Sequence, residues 1–122
     1  MKTPNLTDYI KLYANFNWQQ IRDQLSGLDG GKGLNIAHEA IDRHAASELK
    51  DTVAIRLIRK AGTREEFTYG QLKIQTSKVA NVLKNLGLKK GDRVFSLLGR
   101  VPELYLTALG ALKYQAVFCP LF

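Results

Sequence analysis

The run Lys89-Lys-Gly-Asp-Arg-Val-Phe-Ser-Leu-Leu-Gly-Arg-Val-Pro-Glu103 decides the fold class. Lys89–Asp92 has the composition of a turn. Arg93-Val-Phe-Ser-Leu-Leu98 is a continuous apolar run, the pattern of a buried parallel strand. Gly99–Glu103 breaks it, with Pro102 suited to the first position of a helix and Glu103 to the positive end of its dipole. The predicted helix turns Leu104, Ala108, Ala111 and Leu112 inward. Ala116-Val-Phe-Cys-Pro-Leu-Phe122 reads as the next strand. Strand, helix and strand in this order predict a parallel α/β arrangement with right-handed crossovers.

Working back toward the N-terminus, Thr68-Tyr-Gly-Gln71 has the form of a capping box. The helix it opens carries Leu72, Thr76, Val79, Ala80, Leu83 and Leu86 on one face, and Gly87 stands where a left-handed residue closes a helix. Residues 53–59 and 65–68 read as two strands of a hairpin around Lys60–Arg64. Residues 35–49 predict a helix capped by Asn35, with Ala37, Ala40, Ile41, His44 and Ala45 on its apolar face. On that reading His44 is packed, and His38 lies near the solvated face without a partner. Ser26–Gly33 is loop. It lacks the Walker spacing, and no strand precedes it. Residues 7–25 predict two short helices, with Tyr9, Ile10, Leu12, Tyr13 and Phe16 on one face and Trp18 as a packing anchor. The organisation is a helical extension over 1–50 followed by an α/β segment over 51–122.

Composition bounds the function. The 122 residues are 45% hydrophobic and 24% charged, ordinary for a globular chain. The net charge is +7, with nine basic and seven acidic groups in residues 1–61 and nine and four in residues 62–122. The cations are scattered and do not alternate with aromatics as in an RNA-binding strand. A small nucleic-acid- or protein-binding α/β module is therefore the alternative reading, motivated by charge alone. Cys119 is the only cysteine, which excludes an internal disulfide and fits a reducing compartment. With His38 and His44 it makes no zinc set, and no metal site is expected. No apolar run approaches the roughly 18 residues of a membrane helix, and the N-terminus lacks a signal-peptide core. These features predict a cytoplasmic chain without a membrane partner. A last strand that ends on Leu-Phe predicts an N-terminal piece of a larger α/β protein, with exposed apolar surface through which copies can dimerise.

Several segments, in order, resemble the AMP-forming acyl-CoA synthetases of the adenylate-forming superfamily. Phe67-Thr-Tyr-Gly-Gln-Leu72 resembles that family's Tyr-Thr-Tyr-x-Glu-Leu helix start. Ala80–Val94 is similar to its Ala-x-x-Leu-x-x-x-Gly-Val-x-x-Gly-Asp-x-Val segment, and Arg100–Tyr105 and Ala116–Phe122 to the helix and strand that follow. Leu34-Asn-Ile-Ala-His-Glu-Ala-Ile-Asp-Arg-His44 resembles the Leu-Asn-x-x-x-x-x-x-Asp-Arg-His of the bacterial-type acetate enzymes. Gln115 departs from the pattern, which has Gly there. A Gln at that helix end costs on the order of 1 kcal/mol if its φ is positive.

The resemblance implies a parent ligase working in two steps: acetate attacks the α-phosphate of ATP to give acetyl-adenylate and pyrophosphate, then the CoA thiol attacks the adenylate carbonyl. It implies ATP, Mg²⁺ and CoA for that parent, and none bound by this segment alone. The family's Ser/Thr/Gly-rich phosphate loop, Tyr-Gly-x-Thr-Glu segment, ribose-binding Asp and C-terminal-domain Lys are all missing from these residues. No catalytic residue is therefore assigned, and the segment alone is expected to be inactive. Phe122 aligns with an aromatic that can line the CoA adenine pocket, and is the one cofactor-binding candidate. Lys32, Arg93 and Arg100 are basic groups near turns that could guide anionic ligands, with a solvated surface role as the simpler reading.

Overall fold

Thr68 and Gln71 close the expected box in the computed structural model, which describes residues 6–121. The Gln71 amide donates to Thr68 Oγ1 (3.2 Å), and the Thr68 amide donates to Gln71 Oε1 (2.9 Å). Two of the four orphan N–H groups at the start of a helix are thereby satisfied. This sets α4 (Tyr69–Asn85), the longest element. Before it come α1 (Tyr9–Ala14), α2 (Trp18–Asp23), a π turn (His38–Asp42) running into α3 (Arg43–Ala45), a 3₁₀ turn (Glu48–Asp51), β1 (Val53–Ile58) and β2 (Arg64–Thr68). After it come β3 (Arg93–Leu97), α5 (Pro102–Lys113) and β4 (Val117–Leu121).

The strands form two separate two-stranded sheets. β1 and β2 pair antiparallel, with Ile55 opposite Phe67 and Leu57 opposite Glu65. Gly62, at φ 80°, makes the turn between them. Arg56–Glu66 and Arg59–Glu65 ion pairs bridge the hairpin. β3 and β4 pair parallel from Arg93↔Val117 to Leu97↔Leu121. The mixed helix and strand class matches the sequence reading. The βαβ arrangement is realised once, as β3–α5–β4, because the strand ahead of α4 is committed to its hairpin partner.

α4 and α5 pack together, and Leu83, Ala111 and Ala116 form a buried cluster extended by Val79, Leu88, Val94, Tyr114 and Phe118. The helices meet closely at Gly110, where a Cβ would lie 2.5 Å from Val79 Cγ1 and 3.1 Å from the Thr76 carbonyl oxygen. No side chain fits there without displacement. The fully buried Thr76 returns its hydroxyl to the Leu72 carbonyl (2.7 Å), so that hydroxyl is satisfied, whereas the buried Ser96 hydroxyl on β3 finds no partner among the described residues.

Both helices end in the same motif. After α4, the Gly87 amide donates to Lys84 and the Leu88 amide to Leu83 (3.0 and 3.2 Å). After α5, the Gln115 amide donates to Leu112 and the Ala116 amide to Ala111 (3.1 and 2.9 Å). This is the Schellman arrangement, which needs a left-handed residue at its turn. Gly87 takes φ 84°, and Gln115 takes φ 67°, the one non-glycine with positive φ among the described residues. The departure from Gly at 115 therefore leaves the turn unchanged and places a Cβ in a strained region.

Five expectations change. The helix over 35–49 stops at Ala45, because Ser47 is extended, accepts from the Leu49 amide and starts a 3₁₀ turn. Its buried residues are Ala37, Ile41 and Ala45, four apart, while Ala40 faces solvent. A π turn has more residues per turn than an α-helix, so an every-fourth stripe stays on one side. Leu86 points outward at the C-cap, and Leu88 enters the core after the chain reverses at Gly87. β3 is covered on one face only: Val94 and Ser96 turn inward, while Phe95 (64% exposed) and Leu97 (74%) face out. Trp18 is no anchor. It is 77% exposed and meets Phe16 edge-on.

Candidate functional site

Polar side chains converge where the N-terminal helices join the body. The Glu39 carboxylate accepts from the Gly27 amide (2.7 Å) and the Ser26 amide (3.1 Å), and pairs with Arg43 Nη1 (3.1 Å). Arg43 also donates to the Gln24 carbonyl (2.9 Å). Ser26 Oγ lies 3.0 Å from His38 Nε2 and 3.4 Å from Glu39 Oε1. His38 therefore has a partner, contrary to the expectation from sequence. Burial pushes the Glu39 carboxyl upward, but the Gly27 and Ser26 amides, Arg43 and His38 outweigh it and hold it below the usual carboxylate value.

A serine, a histidine and a glutamate within reach raise the question of nucleophilic chemistry. The geometry answers against it. In a catalytic triad the acid orients the imidazole from its far nitrogen. Here Glu39 bonds the serine and two backbone amides, and its charge is spent on Arg43. The cluster is a latch that fixes residues 24–27 to the helix behind them.

Asn35 makes a second join. Its Oδ1 accepts from the Ala37 and His38 amides (2.9 and 3.2 Å), and its Nδ2 donates to the Leu112 carbonyl (2.9 Å). One side chain thus caps the start of one helix and the end of α5. Lys113 makes a third, donating to Asp42 (2.7 Å) and Ser77 (3.2 Å) and so linking three helical segments.

The expected ligand-guiding cations do not come together. Arg93 opens β3, whereas Arg100 lies in the β3–α5 connection at the opposite end of the strand. Lys32 lines a depression of about 340 Å³ with Asn35, Lys90 and Gln115. Ligands of open α/β sheets sit beyond the carboxyl ends of the strands. Phe122, the cofactor-binding candidate, comes after β4 in the sequence and lies outside the described residues. His44 packs against Tyr69 with ring centroids 5.0 Å apart and the ring planes tilted by 47°. Cys119 is half-buried. Among the described residues no group of three or more His, Cys, Asp and Glu comes together to hold a metal. No described helix is long and apolar enough to cross a membrane. The groups that sequence reasoning missed, Ser26 with Glu39 and Asp42 with Lys113, are 13 and 71 positions apart. Only the i, i+4 spacing of Glu39 and Arg43 was a local signal.

Comparison with known proteins bears on the chain as a whole. The profile of the AMP-binding enzyme family matches residues 41–122. The chain is 42% identical over 119 residues to an acetyl-coenzyme A synthetase of Bacillus subtilis (strain 168), covering 97% of this chain and 20% of that protein. It is 44% identical over 94 residues to an acetyl-coenzyme A synthetase of Methanothrix thermoacetophila, covering 76% and 14%. Among solved structures, a Brucella canis acyl-CoA synthetase superposes with a TM-score of 0.81 at 35% identity, covering 96% of this chain and 21% of that one. The chain spans about a fifth or less of the length of these relatives.

Proposed function

The chain belongs to the AMP-binding enzyme family, and on that premise we propose that it is the N-terminal segment of an acetate–CoA ligase that forms acetyl-adenylate. The observation that carries the reading is the 42% identity to an acetyl-coenzyme A synthetase over nearly the whole of this chain. In the parent, acetate attacks the α-phosphate of ATP and releases pyrophosphate. The CoA thiol then attacks the acyl carbonyl and releases AMP.

This segment contributes scaffold. The β3–α5–β4 unit supplies two parallel strands of the catalytic domain, and residues 51–122 are its opening portion behind a helical extension over 1–50. Asn35 and Lys113 hold α5 in place, and α5 in turn sets the carboxyl ends of β3 and β4. Phe122, the next residue after β4 in the sequence, is the position proposed to reach the CoA adenine. On this reading Mg²⁺ arrives on the nucleotide phosphates, and no residue of this segment is assigned to it. A cytoplasmic location accords with the lone cysteine. Dimers of the isolated segment, through its open sheet face, are a further part of this reading.

The test is acetate-dependent exchange of labelled pyrophosphate into ATP. The longer polypeptide that continues this segment is expected to catalyse it with acetate in preference to propionate or butyrate. The 122-residue chain alone is expected to show no exchange. Exchange by the short chain, or a longer polypeptide that ignores acetate, overturns the reading.

A further inference from the structure

The depression of about 340 Å³ lies where three segments meet, beyond the amino ends of β3 and β4. Lys32 and Asn35 line it from the segment ahead of the π turn, Lys90 from the turn before β3, and Gln115 from the turn before β4. Hydrogen bonds fix the three segments to one another. Asn35 Nδ2 donates to the Leu112 carbonyl (2.9 Å), and the Gly91 amide donates to the Gln115 carbonyl (2.9 Å). The Asp92 carboxylate closes the turn around Lys90 by accepting from the Lys89 amide (2.7 Å). The walls are therefore set before any ligand arrives, which lowers the cost of binding.

The charge of the depression is one-sided. Two lysines line it and no carboxylate does. Among the described residues neither lysine forms an ion pair, since the four pairs present use Arg43, Arg56, Arg59 and Lys113. The carboxyl end of α5 beside it would ordinarily repel an anion. The carbonyls of that last turn are covered: Gly110 accepts from the Tyr114 amide, Ala111 from the Ala116 amide, and Leu112 and Lys113 from the Asn35 side chain. Gln115 supplies a second observation. It is exposed and holds φ 67°, where the family pattern has Gly. A side chain at a left-handed position adds nothing to the turn itself, and an outlier of this kind points to a use for the side chain. Here it is a carboxamide on the wall that the two ammonium groups share, and its NH₂ is a donor for an anionic oxygen.

We infer that this depression binds a phosphoryl group, with Lys32 and Lys90 supplying charge and the Gln115 amide a directed hydrogen bond. Two ammonium groups match a phosphate dianion and leave a lone carboxylate overcompensated. Lysine holds phosphate as a point charge, without the fixed fork of arginine, and suits an open depression. Free phosphate or pyrophosphate and the phosphate of a nucleotide share this chemistry. The site is built within this chain and stands apart from the ligase reading.

The experiment titrates the 122-residue chain with inorganic phosphate, pyrophosphate, AMP and, as a monoanion control, acetate, all at constant ionic strength. Backbone and side-chain amide NMR shifts are the readout. Saturable shifts confined to residues 32–36, 89–91 and 115 are expected with the phosphates and not with acetate. Lys32→Gln and Lys90→Gln should each weaken binding about fivefold, the effect of removing one close charge. Gln115→Gly should weaken binding by about the same factor while raising Tm, a combination that a purely structural role does not produce. Tighter binding of AMP than of inorganic phosphate supports the site with a nucleotide as its source, and equal binding supports it with the free anion. Shifts that do not saturate, that acetate reproduces, or that survive both lysine substitutions together mean screening of surface charge only and overturn the inference. If the short chain does not fold, the longer polypeptide that continues it gives the readout. Inorganic phosphate must then slow acetic-anhydride labelling of Lys32 and Lys90 and leave Lys60 unchanged, and equal labelling with and without phosphate overturns the inference.

Discussion

The N-terminal strap, residues 6–25 with α1 and α2, and the α4–α5 pair are both built from apolar residues at helical spacing, and they end in opposite environments. The strap is the more aromatic, with Tyr9, Tyr13, Phe16 and Trp18 within ten positions, yet it has no buried residue. The α4–α5 pair buries small or modest groups: Leu72, Thr76, Ala80, Leu83, Gly110 and Ala111. Hydrophobic content does not separate them. What separates them is an opposing surface of matching shape, since burial removes area from water only where something covers it. Gly110 provides that match for the helix pair, and nothing among the described residues provides it for the strap.

Perturbing the packed side should have the largest effect. Leu72 is fully buried, and Leu72→Ala is expected to destabilise the chain by about 2–5 kcal/mol, from lost transfer energy plus the cavity left behind. A urea-denaturation midpoint that barely moves would show that α4 is no better packed than the strap. Gly110→Ala comes next, at about 1–3 kcal/mol, because the new Cβ overlaps Val79. Adding Val79→Ala should restore part of that loss, and a double-mutant cycle without coupling would mean that the helices do not meet there.

The two Schellman turns allow a finer version of the comparison within the packed half. Gln115→Gly is expected to stabilise by about 1 kcal/mol and Gly87→Gln to destabilise by a similar amount, since a side chain at positive φ costs roughly 1–2 kcal/mol. Thermal unfolding of both variants and of the double swap measures this directly.

The smallest effect concerns the joint between the two regions. The Glu39 carboxyl is held below its ordinary value in the folded chain. A group depressed on folding contributes stability above its unfolded value and loses it as pH falls through the folded one. Acidification should therefore lower the protection of the Ser26 and Gly27 amides, measured against their intrinsic exchange rates at each pH, before it lowers that of α4. Glu39→Gln should remove that pH dependence. Equal acid sensitivity in the wild type and the variant would mean that the carboxylate does not hold the joint.

The legible parts of this molecule were those whose chemistry is local. Thr68 with Gln71, Asn35 with the two amides that follow it, Pro102 at the start of α5 and Gly87 at the end of α4 each act within a few positions, so residue type and spacing suffice. The run from Arg93 to Leu98 was readable as a strand for the same reason, although which of its faces is covered was not. The failures share the opposite property. Periodicity predicts Trp18 and Leu86 inward, but it fixes only a stripe along a helix and says nothing of what faces it. The break after Ala45 follows from Ser47 turning its hydroxyl to the His44 carbonyl and accepting from Leu49, a competition that helix propensity leaves nearly balanced. At the candidate site, the assignment of Phe122 rests on resemblance alone, and the residue lies outside the described ones.

By itself the sequence determined the order of elements, their caps, the hairpin and the family resemblance, because backbone sterics, capping and side-chain period act over single turns. The tertiary structure decided what no single turn contains. It set the pairing of β3 with β4 apart from β1 with β2, and it set the positive φ that Gln115 accepts to complete its turn. It also placed the Glu39 latch and the Lys113 link, and left one face of the parallel pair and the whole strap uncovered. Those outcomes depend on which surfaces meet after the chain has closed its loops, and apolar surface is stabilised only by the partner it finds.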